Sequence, residues 1–382
     1  MPRPLYLLML CNLVLGTGVF VLGGILAPLA ESLQVSVATA GQAMTAYAIA
    51  TALLAPLLLV ITGRWPRRRV LVFGLLLFAL GNFVCASAQG LATLLAGRVL
   101  MGMGAVFTPV SGSIAIALAP PAQRGRALSL VFLGISLSYV IGMPLGAWIG
   151  LRFGWRWPVG LVGACAVAAA LGLVALLPRN IAAPGASFAG LSRLLIQPAI
   201  AAALALTLLY FTAIFTVFSY IGPVLQALTP LSPEAMSATL AIFGIAGVTG
   251  TLTGGWANDR FGGQRTMPVQ LGLLAATMAL VPLTQGHYVA MLAVFFAWGV
   301  AGFGMMTPQQ SRLAMLAPAQ TPILLSLNSS MLYFGTAAGA AIGGATAGSV
   351  GFERLAWVAV PFALAGLLLL VAGPRAPGPE RT

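Results

Sequence analysis

Very few side chains in this sequence could do chemistry. Its 382 residues hold five acids, one histidine, three cysteines and 18 basic residues, all of them arginine. Arg98 is the most informative. It lies in Leu95-Ala96-Gly97-Arg98-Val99-Leu100-Met101-Gly102, inside a long apolar run. An ionisable side chain at membrane depth costs about 2.5–3.5 kcal/mol on insertion scales, so it marks a pathway or binding site by default. The alternative is that Arg98 stands near the outer end of its span and snorkels to the headgroups. With no carboxylate at that depth, its partners must be backbone carbonyls, Gln or Asn side chains, water or substrate.

The acids are Glu31, Glu234, Asp259, Glu353 and Glu380, and all fall in loops, tails or span ends. A proton relay across a membrane normally uses an intramembrane Asp, Glu or His. This leaves Glu31, Asp259, or substrate and water to carry any coupled proton. Cationic compounds would find no buried counter-ion, which favours neutral or anionic substrates. His287 lies alone in a polar break, which excludes a histidine metal cluster. Cys11, Cys85 and Cys165 sit in apolar runs without disulfide or metal spacing and read as small hydrophobes. No Walker-type glycine loop is present. The reading is of a protein that is not an enzyme and needs no cofactor.

The elements that must position Arg98 are membrane helices. Sixty per cent of residues are hydrophobic and 6% charged, with a mean hydropathy of +1.03, whereas a soluble domain is about a quarter charged. The apolar runs are too long, and too poor in strict alternation, for a barrel. The pattern predicts an all-α membrane protein with spans over 5–29, 41–62, 69–88, 93–119, 127–150, 157–178, 199–227, 235–256, 266–284, 289–315, 323–349 and 355–373. They are numbered 1 to 12 below. No short apolar core ends in a cleavage site, so span 1 reads as both anchor and targeting signal.

The loops on one side, together with both tails, hold most of the arginines, whereas the other side holds only Arg152, Arg156 and Arg354. This asymmetry places both termini in the cytoplasm and accounts for the formal charge of +13 without nucleic acid as a partner. Alanine, glycine, leucine and arginine usage suggests a GC-rich bacterial genome, and so an inner-membrane location. The polar stretch 179–198, with Pro184, Gly185, Ser187 and Ser192, separates bundles at 1–178 and 199–382 and is too short for a folded domain.

The two bundles repeat one pattern. Gly102-Met103-Gly104, Thr108-Pro109, Pro121-Ala122-Gln123, Gly134 and Gly142 recur as Gly302-Phe303-Gly304, Thr307-Pro308, Pro318-Ala319-Gln320, Gly335 and Gly343. Self-similarity over half a chain marks duplicated architecture. In a membrane chain it marks a transporter whose substrate site lies where the repeats meet.

The loop Gly254-Gly255-Trp256-Ala257-Asn258-Asp259-Arg260-Phe261-Gly262-Gly263-Gln264-Arg265 resembles the signature loop of the major facilitator superfamily, and the resemblance extends along the whole chain. The first-half counterpart, Thr62-Gly63-Arg64-Trp65-Pro66-Arg67-Arg68-Arg69, has Gly63 in place of the usual Asp and Pro66 in place of Gly. The family implies a cytoplasmic latch here, through Arg64 in one half and Asp259 with Arg260 in the other; for Arg67 to Arg69 topology alone is a sufficient account. Arg98 followed by Gly102 matches the family's span-4 motif, and the corresponding second-half residue is Trp298. Gly134, Gly142-Met143-Pro144-Leu145-Gly146 and Gly150 resemble the span-5 motif of the proton-antiport exporters. They predict a close helix seam, with span 8 and its Gly244, Gly247, Gly250 and Gly254 as the expected partner.

The resemblance is strongest to the exporter branch that handles drugs, sugars, nucleosides and chloramphenicol. It implies twelve helices in two six-helix pseudo-symmetric bundles, rocking-type alternating access, a monomer in the bilayer, a small-molecule substrate and protons as candidate coupling ion. The implied cavity lining is Asn12, Thr17, Tyr47, Arg98, Met101, Tyr139, Tyr210, Phe215, Met306, Gln309 and Asn328. Asn12 and Asn328 stand out, because an amide facing lipid would be left unsatisfied. Few charges with aromatics and thioethers suit a neutral or amphiphilic compound. A metabolite exporter or uniporter, and a non-transporting receptor, are the alternative readings.

Overall fold

The computed structural model describes residues 2–120, 123–179, 181 and 196–373. All regular structure among them is helical. Spans 1 to 6 are Arg3–Ser32, Val37–Ile61, Arg67–Ala86, Leu91–Leu118, Arg124–Phe153 and Arg156–Leu176. Spans 7 to 10 are Pro198–Phe218, Pro233–Phe261, Gly263–Thr284 and Tyr288–Leu316, and span 12 is Phe352–Ala372. These 11 helices are long and apolar enough to cross a membrane, and the 30-residue helix Thr321–Val350 is span 11. Pro121, Ala122, most of the predicted linker (180 and 182–195) and residues 374–382, with Glu380, lie outside the described residues.

The repeated motif breaks spans 4 and 10 at matching points. Span 4 is Leu91–Gly104 followed by Phe107–Leu118, and span 10 is Tyr288–Gly304 followed by Met306–Leu316. Pro109 and Pro308 have no N–H to give to the carbonyls of Ala105 and Gly304 four residues back, so the helix cannot run through. In span 4 the gap closes as a tighter turn, in which the Thr108 N–H donates to the Ala105 carbonyl at 3.1 Å. Gly154 and Gly351, with φ of 104° and 79°, end spans 5 and 11 in conformations that side chains disfavour. Span 7 was expected to run unbroken to 227. It stops at Phe218 and resumes as Ile221–Leu228, because Pro223 cannot bond the Ser219 carbonyl.

The chain forms two compact units: Met1–Ser187 with Ser219–Gln226 and Pro230–Gly244, and Phe188–Phe218 with Ala227–Thr229 and Ile245–Thr382. The segment just after span 7 and the first part of span 8 thus belong to the first unit. In that unit span 1 lies against spans 5 and 6, and span 3 against spans 4 and 6. The second unit repeats the scheme, with span 7 against spans 11 and 12 and span 9 against spans 10 and 12.

The span-5 glycine seam corrects one expectation. Its main partner is span 1, not span 8. A Cβ at Gly134 would strike the Met9 carbonyl, one at Gly142 the Thr17 hydroxyl, and one at Gly146 the Val21 side chain; at Gly150 it would lie 2.6 Å from Ile25. Of the span-8 glycines only Gly244 meets span 5, against the Tyr139 carbonyl, whereas Gly247, Gly250 and Gly254 face Phe303, Val300 and Gly304 of span 10. Glycines four residues apart require a close neighbour on one helix face, but any helix backbone could fill that role. Between Gly134 and Gly146 the helix widens into a π turn at Ser138–Gly142. Pro144 lies just beyond it, and a residue inserted into the hydrogen-bond ladder is absorbed in this way.

Candidate functional site

Arg98 is fully buried in the first unit, which excludes the snorkelling alternative. Its Nε donates to the Ala43 carbonyl at 3.1 Å. Nη1 donates to the Gly18 carbonyl at 3.1 Å and to Met101 Sδ at 3.7 Å. Nη2 donates to the Val19 carbonyl at 3.4 Å and to Met44 Sδ at 3.3 Å. A guanidinium has five N–H donors, so each one has a partner. The ring of Tyr47 lies 4.9 Å from the guanidinium carbon. Arg98 therefore ties span 4 to spans 1 and 2. Carbonyls, thioethers and a π face meet its charge in place of a carboxylate.

Each unit also holds a buried neutral cluster. Asn12 Nδ2 in span 1 donates to Ser111 Oγ of span 4 at 3.3 Å and to the Val131 carbonyl of span 5 at 3.2 Å. In the second unit Gln309 Nε2 of span 10 donates to the Ala203 carbonyl at 2.6 Å and to Thr207 Oγ1 at 2.9 Å in span 7. Thr207 in turn donates to Asn328 Oδ1 of span 11 at 2.6 Å. The same three helices of the repeat, 1-4-5 and 7-10-11, are thus pinned by amides. Asn12 Oδ1 and Gln309 Oε1 are buried without a hydrogen-bond partner.

The sequence-predicted residues therefore separate into two groups. Asn12, Tyr47, Arg98 and Met101 are buried inside the first unit, and Tyr210, Phe215, Gln309 and Asn328 inside the second. Half-buried are Thr17 and Tyr139 in the first unit and Met306 in the second. Tyr139 stacks on Phe20 with ring centroids 4.2 Å apart and planes at 25°. Thr17 donates to the Leu13 carbonyl at 2.8 Å and abuts Gly142. Thr17, Phe20 and Tyr139 together make an uncharged face of hydroxyls and rings where spans 1 and 5 meet. Phe20 was not among the expected residues. Its signal was the helical step of three from Thr17, which places both on one face. In span 7, Tyr210, Phe211, Phe215 and Phe218 form a chain of ring contacts 4.8 to 6.0 Å apart.

The latch residues are simply placed. Arg64, Asp259 and Arg260 are exposed, and Arg260 lies 5.8 Å from the Phe261 ring. Asp259 was expected to form the latch with Arg260. Among the described residues it makes no ion pair; the one formed is Arg152–Glu234, at 2.8 Å and exposed. No described acid is buried.

The sequence profile of the Major Facilitator Superfamily matches residues 8–321 and, again, 231–382. The chain belongs to the major facilitator superfamily. It is 30% identical over 361 residues to the "Uncharacterized MFS-type transporter YbcL" of Bacillus subtilis (strain 168), covering 93% of this chain and 91% of that one. Its fold is similar to that of a bacterial homologue of the human lysosomal transporter Spinster in an inward-facing, occupied conformation. There the TM-score is 0.79 at 16% identity, over 97% and 96% of the two chains. It is equally similar to a D-xylose–proton symporter, with a TM-score of 0.79 at 17% identity over 98% of each chain. The protein is thus a multi-pass membrane transporter with the twelve-helix fold of two pseudo-symmetric bundles, and not an enzyme.

Proposed function

We propose that this protein is a secondary active exporter of a small neutral or amphiphilic compound, working by rocking-type alternating access in a bacterial inner membrane with both termini cytoplasmic. The observation that carries the substrate class is the uncharged face of Thr17, Phe20 and Tyr139, together with the lack of any buried acid among the described residues. Phe20 and Tyr139 offer stacked rings and the Thr17 hydroxyl adds a polar handle, which suits a molecule with a flat apolar part. The buried cation at Arg98 already has its N–H groups engaged and gives no reason to expect an anionic substrate. Export, and not import, rests on the resemblance of Gly142-Met143-Pro144-Leu145-Gly146 to the exporter motif. The π turn at Ser138–Gly142 is consistent with a specialised backbone there. Among the described residues a coupled proton finds no buried carboxylate and would use Glu31, Asp259, or substrate and water.

The test is uptake of a panel of labelled amphiphiles, sugars and nucleosides into inside-out vesicles, with and without an imposed pH gradient. Accumulation of an amphiphile that collapses with the gradient supports the reading. Gradient-independent equilibration of sugars or nucleosides alone would replace it with a metabolite uniporter.

A further inference from the structure

Spans 3 and 6 run side by side, and a groove of about 490 Å³ lies between them at the end nearer Arg3. Its mouth carries Arg68, Arg69 and Arg179, and its walls are Val72, Phe73, Leu76 and Val174. We propose that this groove binds an anionic phospholipid of the surrounding bilayer, with the phosphate at the three arginines and an acyl chain along the apolar walls.

Four observations carry this. The sequence holds no acid from Ser32 to Pro233, so nothing within that stretch neutralises the cluster. Among the described residues, Arg69 and Arg179 are exposed and form no ion pair. Arg68 spends one donor on the Leu177 carbonyl at 3.0 Å, which fixes the guanidinium to the end of span 6. The site is thus anchored and not merely a set of mobile side chains. Finally, Trp65 is 44% exposed and packs edge-on against Phe73 at 5.7 Å. An exposed tryptophan of this kind marks the headgroup level of a bilayer. The groove therefore puts its cations at headgroup depth and its apolar walls at acyl depth, as basic pockets between membrane helices do.

The opposite end of the same helix pair gives an internal contrast. A second groove there has a single arginine, Arg156. Its guanidinium is already engaged with Ser32 Oγ at 3.0 Å and the Ala88 carbonyl at 2.8 Å. Only one end of the seam has cations to offer a phosphate.

The experiment measures lipid carried by the full-length protein. It would be extracted from vesicles of phosphatidylcholine alone or mixed with phosphatidylglycerol, and bound lipid read by native mass spectrometry. Phosphatidylglycerol should be retained in preference to phosphatidylcholine. The combined Arg68→Gln, Arg69→Gln, Arg179→Gln variant should bind it roughly 100-fold more weakly. Arg124→Gln with Arg126→Gln, on the same side but outside the groove, should bind it nearly as wild type. Val174→Trp fills the groove without changing charge and should also lower retention, so it decides the matter if the triple variant does not fold. Four results would overturn the proposal: no preference between the lipids, an equal loss in the Arg124/Arg126 variant, normal retention in Val174→Trp, or displacement of the lipid by millimolar inorganic phosphate, which would mark a free-anion site.

Discussion

Replacing Arg98 by leucine tests whether this buried cation is a structural tie or a substrate group. Its three bonds to the carbonyls of Ala43, Gly18 and Val19 are charge-assisted. Such bonds contribute about 1.5–3 kcal/mol each, or roughly 4–9 kcal/mol together. Against this stands the cost of holding the charge at membrane depth, about 2.5–3.5 kcal/mol. The carbonyls stay paired within their own helices after the substitution, so no orphan acceptor penalty is added. The expected net loss is on the order of 2–5 kcal/mol, enough to lower the unfolding temperature by roughly 5–15 °C for a domain of this size. Arg98→Lys keeps the charge but not the five-donor fork, and should fall between wild type and Arg98→Leu. The assay is thermal unfolding of purified protein in a fixed detergent, alongside vesicle uptake of the best substrate. An Arg98→Leu protein that melts at the wild-type temperature yet no longer transports would refute the structural tie, and would return Arg98 to the substrate path.

The seam between spans 1 and 5 makes Gly142→Leu a folding defect: the added side chain meets Thr17, overpacking costs about 1–3 kcal/mol or more, and folded yield in membranes should fall, whereas normal yield with blocked turnover would mean the seam opens. Phe20→Ala removes one ring of the proposed face; an aromatic contact with substrate contributes about 0.5–1.5 kcal/mol, so the half-saturation concentration should rise about threefold to tenfold, and a fall in melting temperature without that rise would make Phe20 packing only. Asp259→Asn should slow transport while leaving its pH dependence and the proton flux per substrate unchanged, because a latch acts through the populations of two states; loss of coupling with surviving substrate exchange would identify Asp259 as the proton carrier.

Much of the scaffold was legible because membrane helices advertise themselves. Long apolar runs gave the spans, and the repeated Gly-x-Gly and Thr-Pro segments marked the duplication but not the breaks they make in spans 4 and 10. Arg98 and Asn12 stood out because a polar group in lipid must be answered by the protein. What was not legible is pairing at long range. The glycines of span 5 announced a close neighbour but not that it would be span 1. The carbonyls that receive Arg98, and the Met44 thioether, come from spans 1 and 2, and nothing in their residue types marks them. Phe20 looked like any apolar residue until Tyr139 stacked on it. Arg68 and Arg179 lie far apart in sequence and share a groove only because spans 3 and 6 pack together. Span 7 was expected to be continuous because Pro223 lies inside an unbroken apolar run, and hydropathy does not register a lost N–H.

The duplicated scaffold carries chemistry that is not duplicated. Both units pair the same helices, break the same spans and pin the first, fourth and fifth helices of the repeat with a buried amide. Yet the first unit buries a guanidinium where the second has Trp298, itself packed edge-on against Phe295 at 5.3 Å. Arg98 ties three helices of its unit through one side chain. The unit that holds Arg98 also presents the Thr17–Phe20–Tyr139 face on a helix, span 1, that Arg98 itself grips through Gly18 and Val19. A substrate bound on that face would therefore meet a surface fixed by the buried cation, which is a role for Arg98 in binding that needs no contact with the substrate.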